Sequence, residues 1–167
     1  WTFDFMKEFQ SDLPAFGCVC SPLVDDKAVY VQAGGAFAKL DKTNGKVIWK
    51  SLKDEGGMMG SAFSSPVFGT IGEESVVFVQ TRTKLAAVKT DSGKVLFEKE
   101  IPSFRGMNIL TPQPYGGGLF TSTYGGTTQF LKLLSSADGY RAEEGWKLKY
   151  EGNMTSPVIV NDHAYWL

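Results

Sequence analysis

Four bulky aromatic residues stand at nearly equal intervals along this chain. Trp1, Trp49, Phe97 and Trp146 lie 48, 48 and 49 residues apart, and Pro22, Pro66, Pro112 and Pro157 lie 44, 46 and 45 apart. The pairs Val31-Gln32 and Val79-Gln80 are also separated by 48. Independent landmarks sharing one period mean one structural unit used several times. A unit this short cannot close a core alone; it buries its faces only against its neighbours.

The unit itself reads as four short strands. Ser21-Pro22-Leu23-Val24, then 28–32, then 38–49 recur as Ser65-Pro66-Val67-Phe68, 76–80 and 86–97. A looser copy runs from Thr111-Pro112 through 118–121 and 130–134 to Ala137-Asp138-Gly139 and Trp146, and a further one begins at Ser156-Pro157. Proline opens the first strand, where no central ladder bond is lost. The second strand is a β-branched and aromatic run such as Val76 to Val79. Between the third and fourth, Lys42-Thr43-Asn44-Gly45 and Thr90-Asp91-Ser92-Gly93 supply the glycine that a tight hairpin needs at positive φ. No window holds a helical period, so almost no helix is predicted.

Four antiparallel strands in each 40–50 residues describe the blade of a β-propeller. The predicted fold is all-β, with about three and a half blades. Residues 1–10 are expected to be the end strand of a preceding blade, 11–50, 51–100 and 101–149 three blades, and 150–167 the start of another. Trp1, Trp49, Phe97 and Trp146 are assigned to docking between blades. The chain starts at Trp1 and stops at Leu167 in a predicted strand, so it is expected to be a segment of a larger ring. An open arc would expose its first and last faces, and such a segment is expected to be marginal or self-associating. Alternatively, Trp1 to Phe9 pairs beside Thr155 to Leu167 and closes a small four-bladed ring.

The pattern from Ala38 through Asp41 and Gly45-Lys46 to Trp49 resembles the repeat of pyrroloquinoline-quinone (PQQ)-dependent dehydrogenases, and equally that of the propeller lipoprotein of the outer-membrane barrel assembly machinery. Segments 17–35, 64–66 and 153–160 carry a likeness to exported bacterial PQQ-binding-like propellers. The resemblance covers nearly the whole chain. It implies a ring of seven or eight blades, completed by further blades of the same ring, and an exported or periplasmic location. It marks the fold rather than a cofactor. Asp41 is replaced in the next copies by Lys89 and Leu134, and Asn44, Ser92 and Asp138 hold the usual threonine place. PQQ with calcium would need a set of carboxylate and amide oxygens and a catalytic Asp; neither can be placed here, and no cofactor is evident. Some quinone enzymes join two adjacent cysteines, whereas Cys18 and Cys20 are separated by Val19.

Charge and composition exclude other classes. The 17 basic and 18 acidic residues leave a formal charge of −1, and no half of the chain is strongly basic, so a nucleic-acid partner is not expected. No run of 18 apolar residues offers a transmembrane segment. Gly34-Gly35 and Gly116-Gly117-Gly118 lack the Lys-Ser/Thr ending of a phosphate loop. Asn153-Met154-Thr155 fits a glycosylation sequon only by a short match. His163 reads as a strand residue, and one histidine with scattered acids makes no catalytic constellation. Cys18 and Cys20 read as two small side chains near a blade edge, with a redox pair or half a metal site as the sharper alternative.

Ligands of propellers sit on the face built by the loops that lead from the fourth strand to the next first strand and from second to third. Those loops are 51–63, 100–110, 80–84 and 122–128. Arg82, Lys84, Arg105, Asn108 and Tyr124 are their most capable residues, and a basic rim for an anionic or polar ligand is the pointed reading; solvated loop charges are the plain one. Met58-Met59 and Met107 could add an adaptable apolar patch for a protein or peptide partner. The leading expectation is a non-catalytic binding scaffold. Its rivals are a quinoprotein alcohol or polyol dehydrogenase and an outer-membrane assembly factor that binds partner proteins.

Overall fold

The structure, a computed structural model, describes residues 1–33, 35–53, 63–150, 152 and 154–166. Three four-stranded antiparallel sheets follow one another along the chain. The first holds β1 (Leu23–Val24), β2 (Ala28–Ala33), β3 (Ala36–Asp41) and β4 (Val47–Ser51) in that order. The second holds β5 (Val67–Ile71), β6 (Glu74–Gln80), β7 (Lys84–Lys89) and β8 (Val95–Glu100). The third holds β9 (Gln113–Tyr115), β10 (Gly118–Ser122), β11 (Thr128–Ser136) and β12 (Gly139–Leu148). A two-stranded hairpin, β13 (Val158–Val160) with β14 (His163–Tyr165), begins a fourth. These are the meandering blades and the half-blade that the repeat predicts. The third departs in length, because β11 and β12 run on to Ser136 and Gly139.

The repeat survives in the register. A bulge interrupts the pairing of the last two strands at Lys39/Leu40, Ala87/Val88 and Phe130/Leu131, which are equivalent places in the three blades. Beside it, Trp49 pairs with Lys39, Phe97 with Ala87 and Trp146 with Phe130. A bulge adds twist where the sheet must lie against its neighbour.

The core lies between blades. Tyr30, Phe37 and Trp49 of the first blade meet Val77, Val79 and Val88 of the second. Phe78, Leu85, Ala87 and Phe97 of the second meet Leu119 and Leu131 of the third. Trp49 and Phe97 therefore sit in equivalent surroundings, both nearly buried. Tryptophan adds a polar tether. The Trp49 ring lies against Gly93, and its Nε1–H donates to the Thr90 carbonyl at 3.3 Å. Trp1 does the same one blade earlier, with its ring on Gly45 and its Nε1–H on the Lys42 carbonyl at 3.0 Å. A Cβ at Gly93 would stand 2.7 Å from the indole, so glycine serves both the turn, at φ 73°, and the docking. Trp146 is different. It stays half-exposed, stacked on Phe130 and edge-on to Phe120 in its own blade.

The expectation for residues 1–10 is corrected. Phe5–Phe9 form a short helix, α1, instead of an end strand. Asp4 caps it by accepting from the Lys7 N–H, and Phe3, Phe5 and Phe9 pack together over Val31, Ala36, Ala38 and Leu40. Aromatic residues at 3, 5 and 9 gather onto one apolar face, and a helical turn brings them there without needing a partner strand. The first blade's outer face is thus covered rather than exposed. Residues 1–9 pack on the first blade, and the sheet of β13 and β14 has two strands, so among the described residues no strand from 1–9 closes a four-bladed ring. No helix among the described residues is long and apolar enough to cross a membrane.

Candidate functional site

In a four-stranded meander, the second-to-third turn and the link to the next blade emerge at the same end. That end forms the loop face. Loop 100–110 lies here between two turns, 81–84 of its own blade and 123–127 of the next. Its backbone is pinned on both sides. The Phe104 N–H donates to the Tyr124 carbonyl at 2.8 Å, and the Ser103 hydroxyl donates to the Arg82 carbonyl at 3.2 Å. A single 3-10 turn, Phe104–Gly106, carries Arg105 at φ 53° and Gly106 at φ 71°.

Asn108 was expected as a ligand-facing rim residue; the structure corrects this. It is buried, and its Nδ2 donates to the carbonyls of Thr81 at 3.0 Å, Arg82 at 3.1 Å and Ile101 at 3.4 Å. Three converging carbonyls left by irregular backbone draw in this amide, since buried carbonyls need donors. Asn108 therefore holds the Arg82 turn in place. The other four remain at the surface. Arg105 lies over the Phe104 ring at 5.0 Å, and Phe104 meets Tyr124 edge-on at 6.1 Å. Lys84 pairs with Glu98 at 2.6 Å. The aliphatic stem of Arg82 packs on Gly106, where a Cβ would stand 2.9 Å away. The structure brings Arg82 and Lys84 together at the first–second blade junction, and Arg105 and Tyr124 together at the second–third. Met107 is half-buried in the same loop; Met58, Met59 and Asn153 lie outside the described residues.

A second aromatic pair stands on this face. Phe16, exposed in the loop before β1, contacts Phe63 at 5.8 Å. Leu13 and Val19 are exposed in the same loop. Cys18 and Cys20 are both free. The Cys20 thiol donates to the Gln32 carbonyl at 2.8 Å, and burial pushes it up to about 11.

Two residues that carry the junctions were seen in the sequence only as spacing marks. Gln80 ends the second strand of its blade and Gln32 stands one residue before the end of its own, both buried. Gln32 Nε2 donates to the Gln80 carbonyl at 3.1 Å and to Ser64 at 3.4 Å; Gln80 Nε2 donates to Ser122 at 3.2 Å and Leu110 at 3.4 Å. Each reaches the next blade at the equivalent place. The third blade has Ser122 there, whose hydroxyl receives the Gly152 N–H at 2.6 Å. The Ser-Pro steps add a second ladder, from the Ser21 N–H to the Ser65 hydroxyl at 2.9 Å and from the Ser65 N–H to the Thr111 hydroxyl at 3.3 Å. The exact repeat of Val-Gln was the signal for this role.

An apolar hollow of about 400 Å³ lies between the third blade and the final hairpin and is lined by Phe120, Phe130, Trp146 and Trp166. By register, Phe120 and Trp146 match Tyr30 and Trp49, which the second blade covers with Val77, Val79 and Val88. It is a packing face of the repeat rather than a ligand pocket. His163 stands at its edge, exposed, with Nδ1 2.6 Å from the Asn161 carbonyl.

A calcium-bound quinone needs several carboxylate and amide oxygens around one point. Among the described residues no three His, Cys, Asp or Glu come together. The described residues therefore supply no such donor set, and no step is derived through the group.

Comparison with known proteins gives the same architecture. A BamB from Moraxella catarrhalis superposes with a TM-score of 0.58 over 90% of this chain and 41% of its own, at 17% identity. The serine/threonine-protein kinase AfsK of Streptomyces griseus is 27% identical over 143 residues, 83% of this chain. The chain spans only 17% of that kinase's length. A family model described as outer membrane protein assembly factor BamB matches residues 1–166. With its blades, its docking tryptophans and this match in agreement, the chain belongs to the BamB family of PQQ-like propellers.

Proposed function

We propose that these blades are part of a non-catalytic, exported scaffold whose loop face binds segments of partner proteins. One observation carries the reading: loop 100–110 is fixed by hydrogen bonds to the turns on either side, yet it leaves Phe104 51% exposed, and Phe16 on the same face is 59% exposed. A loop already ordered loses little entropy on binding, and an exposed aromatic on rigid backbone is a favourable anchor. The family description, an assembly factor of the outer membrane, supports a role among exported partner proteins.

The test is photo-crosslinking from residues 16 and 104 of the parent protein in its native cell envelope. Asn44, in a turn at the opposite end of the strands, is the control. Adducts to other proteins from 16 and 104 but not from 44 are expected. Equal labelling at all three sites, or none, would refute the reading. So would stoichiometric quinone absorbance with dye reduction by alcohols after incubation with PQQ and calcium, which is the behaviour of a dehydrogenase.

A further inference from the structure

We infer that Cys18 and Cys20 form a binding site for a soft monovalent metal ion, of the copper(I) class, held between their two sulfurs. The site lies in the loop before β1 and is independent of whether the loop face binds polypeptide.

Both thiols are free, with Val19 alone between them. Successive Cα atoms are about 3.8 Å apart, so the two cysteine Cα atoms stand no more than about 7.6 Å apart. A disulfide closed across a single residue is strained, because its sulfurs must come into direct contact. An ion between the sulfurs removes that demand. At a metal–thiolate distance of about 2.3 Å, the sulfurs stand about 4.6 Å apart on opposite sides of the ion. Two side chains rooted this close reach that separation without the strain of the closed ring. Thiolate sulfur is a soft ligand and selects copper(I) over harder ions. Zinc asks for four ligands. Two thiolates are a complete set only for an ion that accepts two.

The fold holds one sulfur and offers the other. Cys20 is half-buried, and its S–H donates to the Gln32 carbonyl at 2.8 Å. Gln32 is itself tied across the blade junction, through Nε2 to the Ser64 and Gln80 carbonyls. Cys18 is exposed. An ion therefore arrives from water at Cys18 and is retained against the scaffold at Cys20. The two sulfurs are also coupled electrically. Burial is the main cause that pushes the Cys20 thiol up, and negative charge on Cys18 pushes it the same way. A cation between them cancels the repulsion that opposes a second thiolate. Binding makes two metal–sulfur bonds and releases the two thiol protons to water, with no change of oxidation state. The Cys20 hydrogen bond to Gln32 is exchanged for one of those bonds.

The experiment titrates the fully reduced chain, without oxygen, into copper(I) held by the coloured chelator bicinchoninate, and reads the loss of the chelate's absorbance. One ion should transfer per chain. C18S and C20S should each bind about 100-fold more weakly, or not at all. V19A should bind as the parent chain does. A pH indicator in weak buffer should record about two protons released per ion at pH 7. Excess zinc should leave the transfer unchanged. Unchanged melting temperatures show that the variants fold; if C20S, which loses the bond to Gln32, does not, C18S and the proton count decide alone. No transfer to the parent chain overturns the site. Transfer to C18S or C20S equal to the parent's, with about one proton released, means that a single thiol holds the ion and also overturns it. Displacement of the ion by zinc means a site of more and harder ligands, and overturns the assignment of the metal class.

Discussion

Thr121 and Val79 occupy equivalent places in neighbouring blades, and the difference between them makes a sharp prediction. The Thr121 hydroxyl donates to Oε1 of Gln80. Val79 offers no such donor, and the Oε1 of Gln32, one blade earlier, is buried without a partner. Replacing Thr121 by Val keeps the side chain's shape and deletes only the donor. Gln80 is fully buried and its Nε2 stays engaged, so its oxygen is left unsatisfied at a cost of about 1–3 kcal/mol. For a chain of this size each kcal/mol shifts the melting temperature by about 2–4 °C, so T121V should melt about 2–12 °C lower. The converse change, V79T, gives Gln32 the donor it lacks. Part of that gain is offset by burying a hydroxyl, so the result should lie between neutral and about 1 kcal/mol more stable. Urea unfolding followed by tryptophan fluorescence measures both. If T121V stays within 0.5 kcal/mol of the parent chain, or V79T destabilises as much as T121V, the glutamines do not read this hydroxyl and the account of the junction is wrong.

Other consequences are as direct. Gly93 and Gly116 both have positive φ, but a Cβ at Gly93 meets the Trp49 indole while one at Gly116 meets nothing. G116A should therefore cost only the backbone term, about 1–2 kcal/mol, and G93A about 2–5 kcal/mol with the displaced ring added; equal costs by urea unfolding would remove the docking role of Trp49. Asp25 is pulled both ways: partial burial raises its pKa, but the N–H groups of Lys27 and Ala28 and the Tyr30 hydroxyl outweigh that and hold the carboxyl below its usual range. A depressed folded pKa stabilises at pH above the unfolded value and is lost as pH falls through the folded one. The stability gap between the parent chain and D25N should therefore be full at neutral pH and shrink below about pH 4; a gap independent of pH would contradict it. With its thiol pushed up to about 11, Cys20 should alkylate with iodoacetamide at pH 8 more than tenfold slower than exposed Cys18, by peptide mass spectrometry. Matched rates would mean that Cys20 is neither buried nor bonded to Gln32.

Much of this molecule was legible before folding because a propeller writes its architecture locally. The Ser-Pro openings, the β-branched runs and the glycine turns each act within a few residues, and their recurrence at 48 gave the blades, their order and the interface places of Trp49 and Phe97. Residues 1–10 were misread for the converse reason. An aromatic at the repeat position suggests a strand, but whether Phe3, Phe5 and Phe9 extend or coil depends on the apolar face waiting on the first blade. Asn108 was misassigned because a polar residue in a loop looks the same in sequence whether it faces water or three carbonyls. Sequence by itself determined the unit and its period, since those depend on short-range turn chemistry and alternation. Which side chains meet across a junction and which amide is consumed by the backbone were decided only by tertiary structure, because partners such as Asn108 and Arg82, 26 residues apart, or Gln32 and Gln80, 48 apart, become neighbours only in the folded chain.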